Sequence, residues 1–276
     1  MTRLFGVMGS PIAHSLSPAM HTAAFRAMRL DALYAAFEAP PRFVRPILRA
    51  LILAGVEGLN VTVPLKEAVL PLMDRLDPTA KAIGAVNTIV IRGRRTTGYN
   101  TDGAGCVLAL NALGWRPRAT HAVILGAGGA ARAVAWELTR WSGSCVTIAN
   151  RHGARAQRLA HWLSRMRPRA CVRAVPLREV SLADTELLVN ATTVGMHEAD
   201  GMLVEPAVLH RGLLVYDLVY HRQTTLVRVA RRRGCVAAGG LSMLLYQGAE
   251  SLRLWLGRRP PVEAMRRALE RALRYD

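Results

Sequence analysis

The run Val123-Ile-Leu-Gly126-Ala127-Gly128-Gly129-Ala130-Ala131-Arg-Ala-Val-Ala-Trp-Glu-Leu138 constrains this chain more than any other stretch. An apolar run, a glycine turn and an alanine-rich helical pattern follow one another without a gap. Gly126 lets the chain reverse, Gly128 removes the Cβ that would keep a pyrophosphate from the helix N-terminus, and Ala131 lets that helix lie close to its strand. Gly-x-Gly-x-x-Ala between a strand and a helix predicts dinucleotide binding, with an ordinary tight βα turn as the bland alternative. Apolar strands are expected near 121–126, 145–149, 171–175, 186–190, 213–217 and 235–237, mostly separated by helical or loop stretches, which is the rhythm of a doubly wound parallel sheet. The second of these runs into Asn150-Arg151-His152. An NAD site would usually offer Asp or Glu to the ribose there, and an arginine instead favours a 2′-phosphate.

Ahead of that region the pattern changes. Residues 2–8 and 33–37 read as short strands, and Ser17-Pro18 followed by Met20, Ala24, Phe25 and Met28 reads as an amphipathic helix capped by the serine and opened by the proline. Ser15 and Ser17 place two hydroxyls beside the free N–H groups of that helix, an arrangement suited to a carboxylate. A second helical pattern covers about 41–54. In Leu59-Asn60-Val61-Thr62-Val63-Pro64-Leu65-Lys66, alternation predicts a strand with one apolar face and with Asn60 and Thr62 on the other, ended by Pro64, with Lys66 at a following helix start. Asp77-Pro78 caps a short helix, and 85–91 and 96–100 flank Arg92-Gly93-Arg94-Arg95 as a hairpin. Asp102 opens a helix over about 103–113, either as its N-cap or as a carboxylate aimed elsewhere. Helices over 241–255 and 262–273 are too many for the parallel sheet alone and are expected to return to the first domain.

Bulk properties narrow the function classes. A chain of 276 residues with 51% hydrophobic content can bury two cores. Its N-terminus is interrupted by Gly and Pro before an apolar core of signal-peptide length develops, and no apolar run approaches the ~20 residues of a membrane span, so a cytoplasmic enzyme with no membrane partner is expected. The net charge of +18 invites a nucleic-acid reading, yet the basic residues are scattered, aromatics are only 5%, and just Lys66 and Lys81 of the 37 basic residues are lysine. That is an arginine-biased surface rather than a nucleic-acid interface, so no specific nucleic acid is expected. Cys106, Cys145, Cys171 and Cys235 are far apart in sequence, so no metal site and no disulfide framework is expected, only buried thiols.

The motifs Ser15-Leu-Ser17, Asn60-Val-Thr62-Val-Pro-Leu-Lys66, Ala82-Ile-Gly-Ala-Val-Asn87-Thr, Tyr99-Asn-Thr-Asp102-Gly, Gly126-Ala-Gly-Gly-Ala130, Asn150-Arg151 and Gly239-Gly240-Leu-Ser-Met-Leu-Leu-Tyr-Gln247 occur in the order seen in shikimate dehydrogenases, and the chain resembles that family over nearly its whole length. The resemblance implies an α/β chain with an N-terminal α/β substrate domain (1–103, completed by helices in 241–276) and a doubly wound Rossmann domain (104–240) for NADP. It implies reversible NADPH-dependent reduction of 3-dehydroshikimate to shikimate in aromatic amino-acid biosynthesis, by a monomer or homodimer. Lys66 and Asp102 would be catalytic, and Ser15 and Ser17 would hold the substrate carboxylate. Asn60, Thr62, Asn87 and Gln247 would meet ring hydroxyls, with Tyr220 beside the substrate. Gly126, Ala127, Gly128, Gly129 and Ala130 would hold the pyrophosphate, and Asn150, Arg151 and Arg155 the adenosine end. Thr192, Leu218 and Gly240 would lie near the nicotinamide. Where the family commonly has Asn-Arg-Thr or Asn-Arg-Ser, this chain has His152, which removes one hydroxyl from the 2′-phosphate side, and Arg155 or a protonated His152 could compensate. An NAD-using quinate/shikimate dehydrogenase is the nearest alternative, although two serines at 15 and 17 accompany shikimate specificity in the family.

Overall fold

The computed structural model describes residues 2–273, which fall into two units, one formed by the residues up to Gly105 together with those from Leu244 on, the other by Cys106–Met243. The first unit holds β1 (Arg3–Gly9), α1 (Ser17–Ala27), β2 (Ala32–Glu38), α2 (Val44–Leu53), β3 (Val56–Val61), β4 (Arg75–Leu76), α3 (Pro78–Ile83), β5 (Thr88–Arg92), β6 (Arg95–Tyr99) and the start of α4 (Asp102–Ala112). The second holds β7 (His121–Leu125), α5 (Gly129–Leu138), β8 (Cys145–Asn150), α6 (Gly153–Met166), β9 (Cys171–Pro176), β10 (Leu187–Asn190), β11 (Leu214–Asp217), α7 (Thr225–Arg232) and β12 (Val236–Gly239). Two helices close the chain, α8 (Leu241–Leu256) and α9 (Val262–Ala272). No helix among the described residues is long and apolar enough to cross a membrane.

The first sheet runs β2-β1-β3-β5-β6-β4 and is mixed. β1 is parallel to β2 and β3, whereas the β5–β6 hairpin is antiparallel and joins β3 antiparallel through β5. Gly93 and Arg94 form the two-residue turn, both left-handed, as such a hairpin requires. Val56, Leu59, Val61, Leu65 and Ile89 belong to a buried apolar cluster in this unit. Trp255 of α8 is fully buried against Phe5 of β1, ring centroids 5.3 Å apart, and its indole N–H donates to Ile89 O at 3.0 Å.

Several expectations for this unit need correction. Ser17 does not cap α1, because Leu16 already has helical dihedrals and occupies the cap position, while the Ser17 N–H is taken by Ser15 Oγ at 3.4 Å. The helix expected from residue 41 opens instead as a 3₁₀ turn at Pro41–Phe43 before α2. β3 ends at Val61, so Val63 is 57% exposed whereas Asn60, assigned to the polar face, is only 5% exposed. Alternation misleads there because the Asn60 face is covered: its amide donates to Ser251 Oγ of α8 at 2.9 Å. Lys66 stands in a run of turns and not at a helix start. The two-residue β4 is too short to leave a pattern in sequence.

The second sheet runs β12-β11-β10-β7-β8-β9 with every neighbouring pair parallel. In this doubly wound order the strand sequence reverses between β7 and β10, the switch point where such sheets take ligands. Leu125, Ala149, Leu188 and Val215 lie in one buried cluster on its face. The cysteines are not uniformly buried: Cys106 and Cys235 are buried, Cys145 is half-buried, and Cys171 is exposed on β9, an edge strand.

Candidate active site

In the first unit the chain ends its strands on one polar cluster. Lys66 Nζ donates to Asp102 Oδ2 at 2.6 Å, with the lysine side chain 16% and the carboxylate 5% exposed. Asp102 is in the first turn of α4, where a carboxylate is favoured by the free N–H groups. Its Oδ1 accepts from Asn87 Nδ2 at 2.8 Å, and its N–H donates to Asn100 Oδ1. Asn87 is locked from both ends. Its Oδ1 accepts from the Thr101 N–H at 2.8 Å and the Thr88 hydroxyl at 3.0 Å, while its Nδ2 also reaches Gln247 Oε1 at 3.3 Å. The amide therefore cannot flip without losing each of these bonds. Lys66, Asn87, Asp102 and Gln247 are thus brought together, and the pairing is what proton exchange at a neighbouring oxygen needs: an ammonium with a fixed carboxylate beside it.

Asn60 lies one layer away, its Oδ1 accepting from the Tyr34 hydroxyl at 2.7 Å. Thr62 is half-buried, and Ser17 is 5% exposed; neither hydroxyl has a protein partner among the described residues. Ser15, half-buried, accepts only the Ser17 N–H. Four polar residues that sequence reasoning did not single out hold this arrangement: Tyr34, Thr88, Thr101 and Ser251. Thr88 and Ser251 are fully buried and share a hydroxyl–hydroxyl bond of 2.7 Å. Ser251 was findable, since it follows Gln247 by one helical turn on α8 and so faces the same way. Tyr34 carried no such signal. His21 stacks on Tyr34 with centroids 4.4 Å apart, and neither ring nitrogen is hydrogen-bonded among the described residues. Burial pushes its imidazole down to about 3, against a smaller pull from Asn60.

The second unit presents a different surface. Gly126 has φ +113° and would place a Cβ 2.8 Å from Ala191 O, so the turn after β7 and the segment after β10 approach as only glycine allows. Gly128 occupies the N-cap of α5 with no side-chain cap, and a Cβ there would meet nothing within 4 Å. Open space over uncapped N–H groups fits a phosphate, and Gly129 and Ala130 form the first turn beside it with Ala127 before them. At the end of β8, Asn150 Oδ1 accepts the His152 N–H at 3.1 Å. Arg151 and Arg155 are exposed, and neither pairs with an acid among the described residues, which leaves two cations for a 2′-phosphate. The residues present therefore fit a phosphorylated dinucleotide.

A second buried network, also not foreseen, ties the ends of β10 and β11. Asn190 Nδ2 donates to Asp217 Oδ1 at 2.9 Å, and the Thr224 hydroxyl donates to Oδ2 at 2.6 Å. Burial raises the Asp217 carboxyl above the usual carboxylate range, the three hydrogen bonds it accepts opposing this. Asn190 Oδ1 in turn accepts both the N–H and the hydroxyl of Thr192, at 3.1 and 2.7 Å. Leu218 N–H bonds Asn190 O, and Gly240 N–H bonds Val219 O, so Thr192, Leu218 and Gly240 are all pinned to these strand ends. Tyr220 belongs to this unit, whereas the other substrate candidates belong to the first; it is half-buried, and burial raises its phenol.

A mixed-sheet unit carrying a buried Lys–Asp pair, joined in one chain to a doubly wound unit with an uncapped glycine turn, defines the class of two-unit dinucleotide-binding α/β proteins. The shikimate dehydrogenase substrate binding domain matches residues 7–89, and the shikimate 5′-dehydrogenase C-terminal domain matches residues 240–270. The shikimate dehydrogenase (NADP(+)) of Symbiobacterium thermophilum is 45% identical over 98% of this chain and 95% of its own, and that of Methanothermobacter thermautotrophicus 42% identical over 100% and 98%. The crystal structure of shikimate 5-dehydrogenase from Thermus thermophilus in complex with NADP(H) and shikimate is similar with a TM-score of 0.89 and 39% identity, covering 98% of this chain and 100% of that one. The chain belongs to the shikimate dehydrogenase family.

Proposed function

We propose that this protein catalyses the reversible NADPH-dependent reduction of 3-dehydroshikimate to shikimate, in the cytoplasm. The single observation that carries the reading is the Lys66–Asp102 pair at 2.6 Å with Asn87 bonded to the other carboxylate oxygen. The reduced nicotinamide supplies a hydride to the carbonyl carbon. As negative charge builds on the carbonyl oxygen, the Lys66 ammonium stabilises it and then gives up a proton; in the reverse direction the neutral amine takes the proton from the hydroxyl. Asp102 holds Nζ in place and keeps lone pairs for a substrate hydroxyl. Asn60, Thr62 and Gln247 offer amide and hydroxyl groups to the other ring oxygens, and Ser15 and Ser17 offer theirs to the carboxylate. Arg151 and Arg155 take the 2′-phosphate, and the α5 N-terminus takes the pyrophosphate.

The test is absorbance at the reduced-nicotinamide band with shikimate or quinate crossed with NADP⁺ or NAD⁺. Rapid turnover is expected for shikimate with NADP⁺. Quinate carries one more hydroxyl, at the carbon bearing the carboxylate, and leaving that hydroxyl buried and unpaired beside Ser15 and Ser17 costs about 1–3 kcal/mol, roughly 5- to 150-fold in kcat/KM. Quinate turnover equal to or above that of shikimate would move the chain to a quinate-accepting function, and no turnover with any combination would remove the assignment.

A further inference from the structure

Cys145 and Cys171 are 26 positions apart in sequence and directly opposite in space, at the first residues of β8 and β9. The Cys171 N–H donates to Ser144 O at 2.9 Å, which sets this register. In register across a parallel pair the two side chains project from the same face, and neighbouring strands are about 4.8 Å apart, within the Cα separation of about 4.4–6.8 Å that a disulfide spans. The thiols sense each other: burial and the adjacent Cys171 sulfur push the Cys145 thiol up to about 11, with Arg173, two residues along the same face of β9, pulling the other way. Cys171 is exposed, so a reagent in solution reaches it, while Cys106 and Cys235 are buried. β9 is an edge strand entered through a turn at Arg167–Ala170, so its first residue can shift without disturbing a further strand.

We propose that Cys145 and Cys171 are a redox-modification site that closes reversibly to an intrachain disulfide by exchange with a low-molecular-weight disulfide. Cys171 Sγ, as thiolate, attacks one sulfur of the reagent; an S–S bond forms to Cys171 and the first reagent thiolate leaves. Cys145, on losing its proton, attacks Cys171 Sγ; the intrachain bond forms and the second reagent thiolate leaves. The protein loses two protons and two electrons, and the reagent is reduced to two thiols. The bridge ties β8, whose far end carries Asn150, to the edge of the sheet.

The full-length protein, incubated natively with oxidised glutathione and quenched in acid, should become lighter by two hydrogen atoms, lose two of its four titratable thiols, and give a non-reduced peptide joining Cys145 to Cys171, all reversed by dithiothreitol. Cys145→Ser should instead stop at a glutathione adduct on Cys171. Cys171→Ser should form no bridge and react at least about tenfold more slowly, because the half-buried Cys145 is then the attacking thiol. A wild-type chain that keeps the Cys171 adduct without closing, that stays unmodified, or that bridges another pair overturns the proposal. Turnover with shikimate and NADP⁺ reads the catalytic assignment separately, since neither cysteine takes part in it.

Discussion

At Lys66, Nζ has a single protein partner, Asp102, and no second cation shares that carboxylate among the described residues. Lys66→Ala is therefore expected to lower kcat by about 10²–10⁴-fold while leaving shikimate binding largely intact, because the ammonium's interaction strengthens only as charge develops on oxygen. Lys81→Ala, at the end of α3, should leave steady-state kinetics alone. Arg151 pairs with no acid among the described residues, so Arg151→Ala should raise KM for NADP⁺ roughly 10- to 100-fold and hardly change that for NAD⁺. Equal losses for both cofactors would show that the arginine serves the adenine or the fold. His21 makes a third residue-scale prediction. Its folded-state value of about 3 lies below the ordinary 6.5, so between those values the unfolded chain binds a proton that the folded one excludes. The His21 contribution to stability should fall as pH drops below about 6.5, by up to about 1.4 kcal/mol per pH unit, and level off near pH 3. Urea midpoints at pH 7.5 and 4.5 measure this, and His21→Phe should shrink the difference between them. An undiminished difference would place the acid sensitivity elsewhere.

Among the elements, α4 and α8 meet at a point where only glycine fits. A Cβ at Gly105 would lie 2.8 Å from the Gln247 backbone N and 3.1 Å from its Cα, and backbone cannot rotate out of the way. Gly105→Ala should push α8 off α4, costing about 1–3 kcal/mol in stability, and should weaken turnover more than it weakens the fold, since Gln247 and the Asp102–Asn87 bond sit at that crossing. Chemical denaturation together with kcat/KM for shikimate separates the two effects. The capping of α3 by Asp77, whose side chain accepts the Thr79 N–H at 2.9 Å, was readable from Asp-Pro alone, because that signal is local. The start of α1 was not, since Leu16 and Ser17 compete for the cap and the outcome depends on how the preceding loop delivers Ser15.

For the whole molecule the consequential residue is Trp255, near the end of the chain and fully buried among Phe5, His21 and Tyr34. Trp255→Ala should cost about 3–5 kcal/mol and lower the melting temperature by several degrees or more, because it opens a large cavity and leaves Ile89 O without its donor. A shift within a degree would mean that the last helices contribute little to the first unit. The strand–glycine–helix turn at 123–138, the parallel rhythm after 121, the hairpin at 92–95 and the ordered motifs around Lys66, Asp102 and Gln247 were legible along the chain, since each depends on residues a few positions apart or on a linear order of motifs. What covers Asn60, which hydroxyls hold Asn87, and which cysteines face each other were not. Thr88 meets Ser251 across 163 positions, and Cys145 meets Cys171 only because β8 and β9 pair in one register out of several possible. Burial and strand register are properties of the assembled sheet: the same alternating pattern permits a polar face to be wet or covered, and only the return of α8 decides between them.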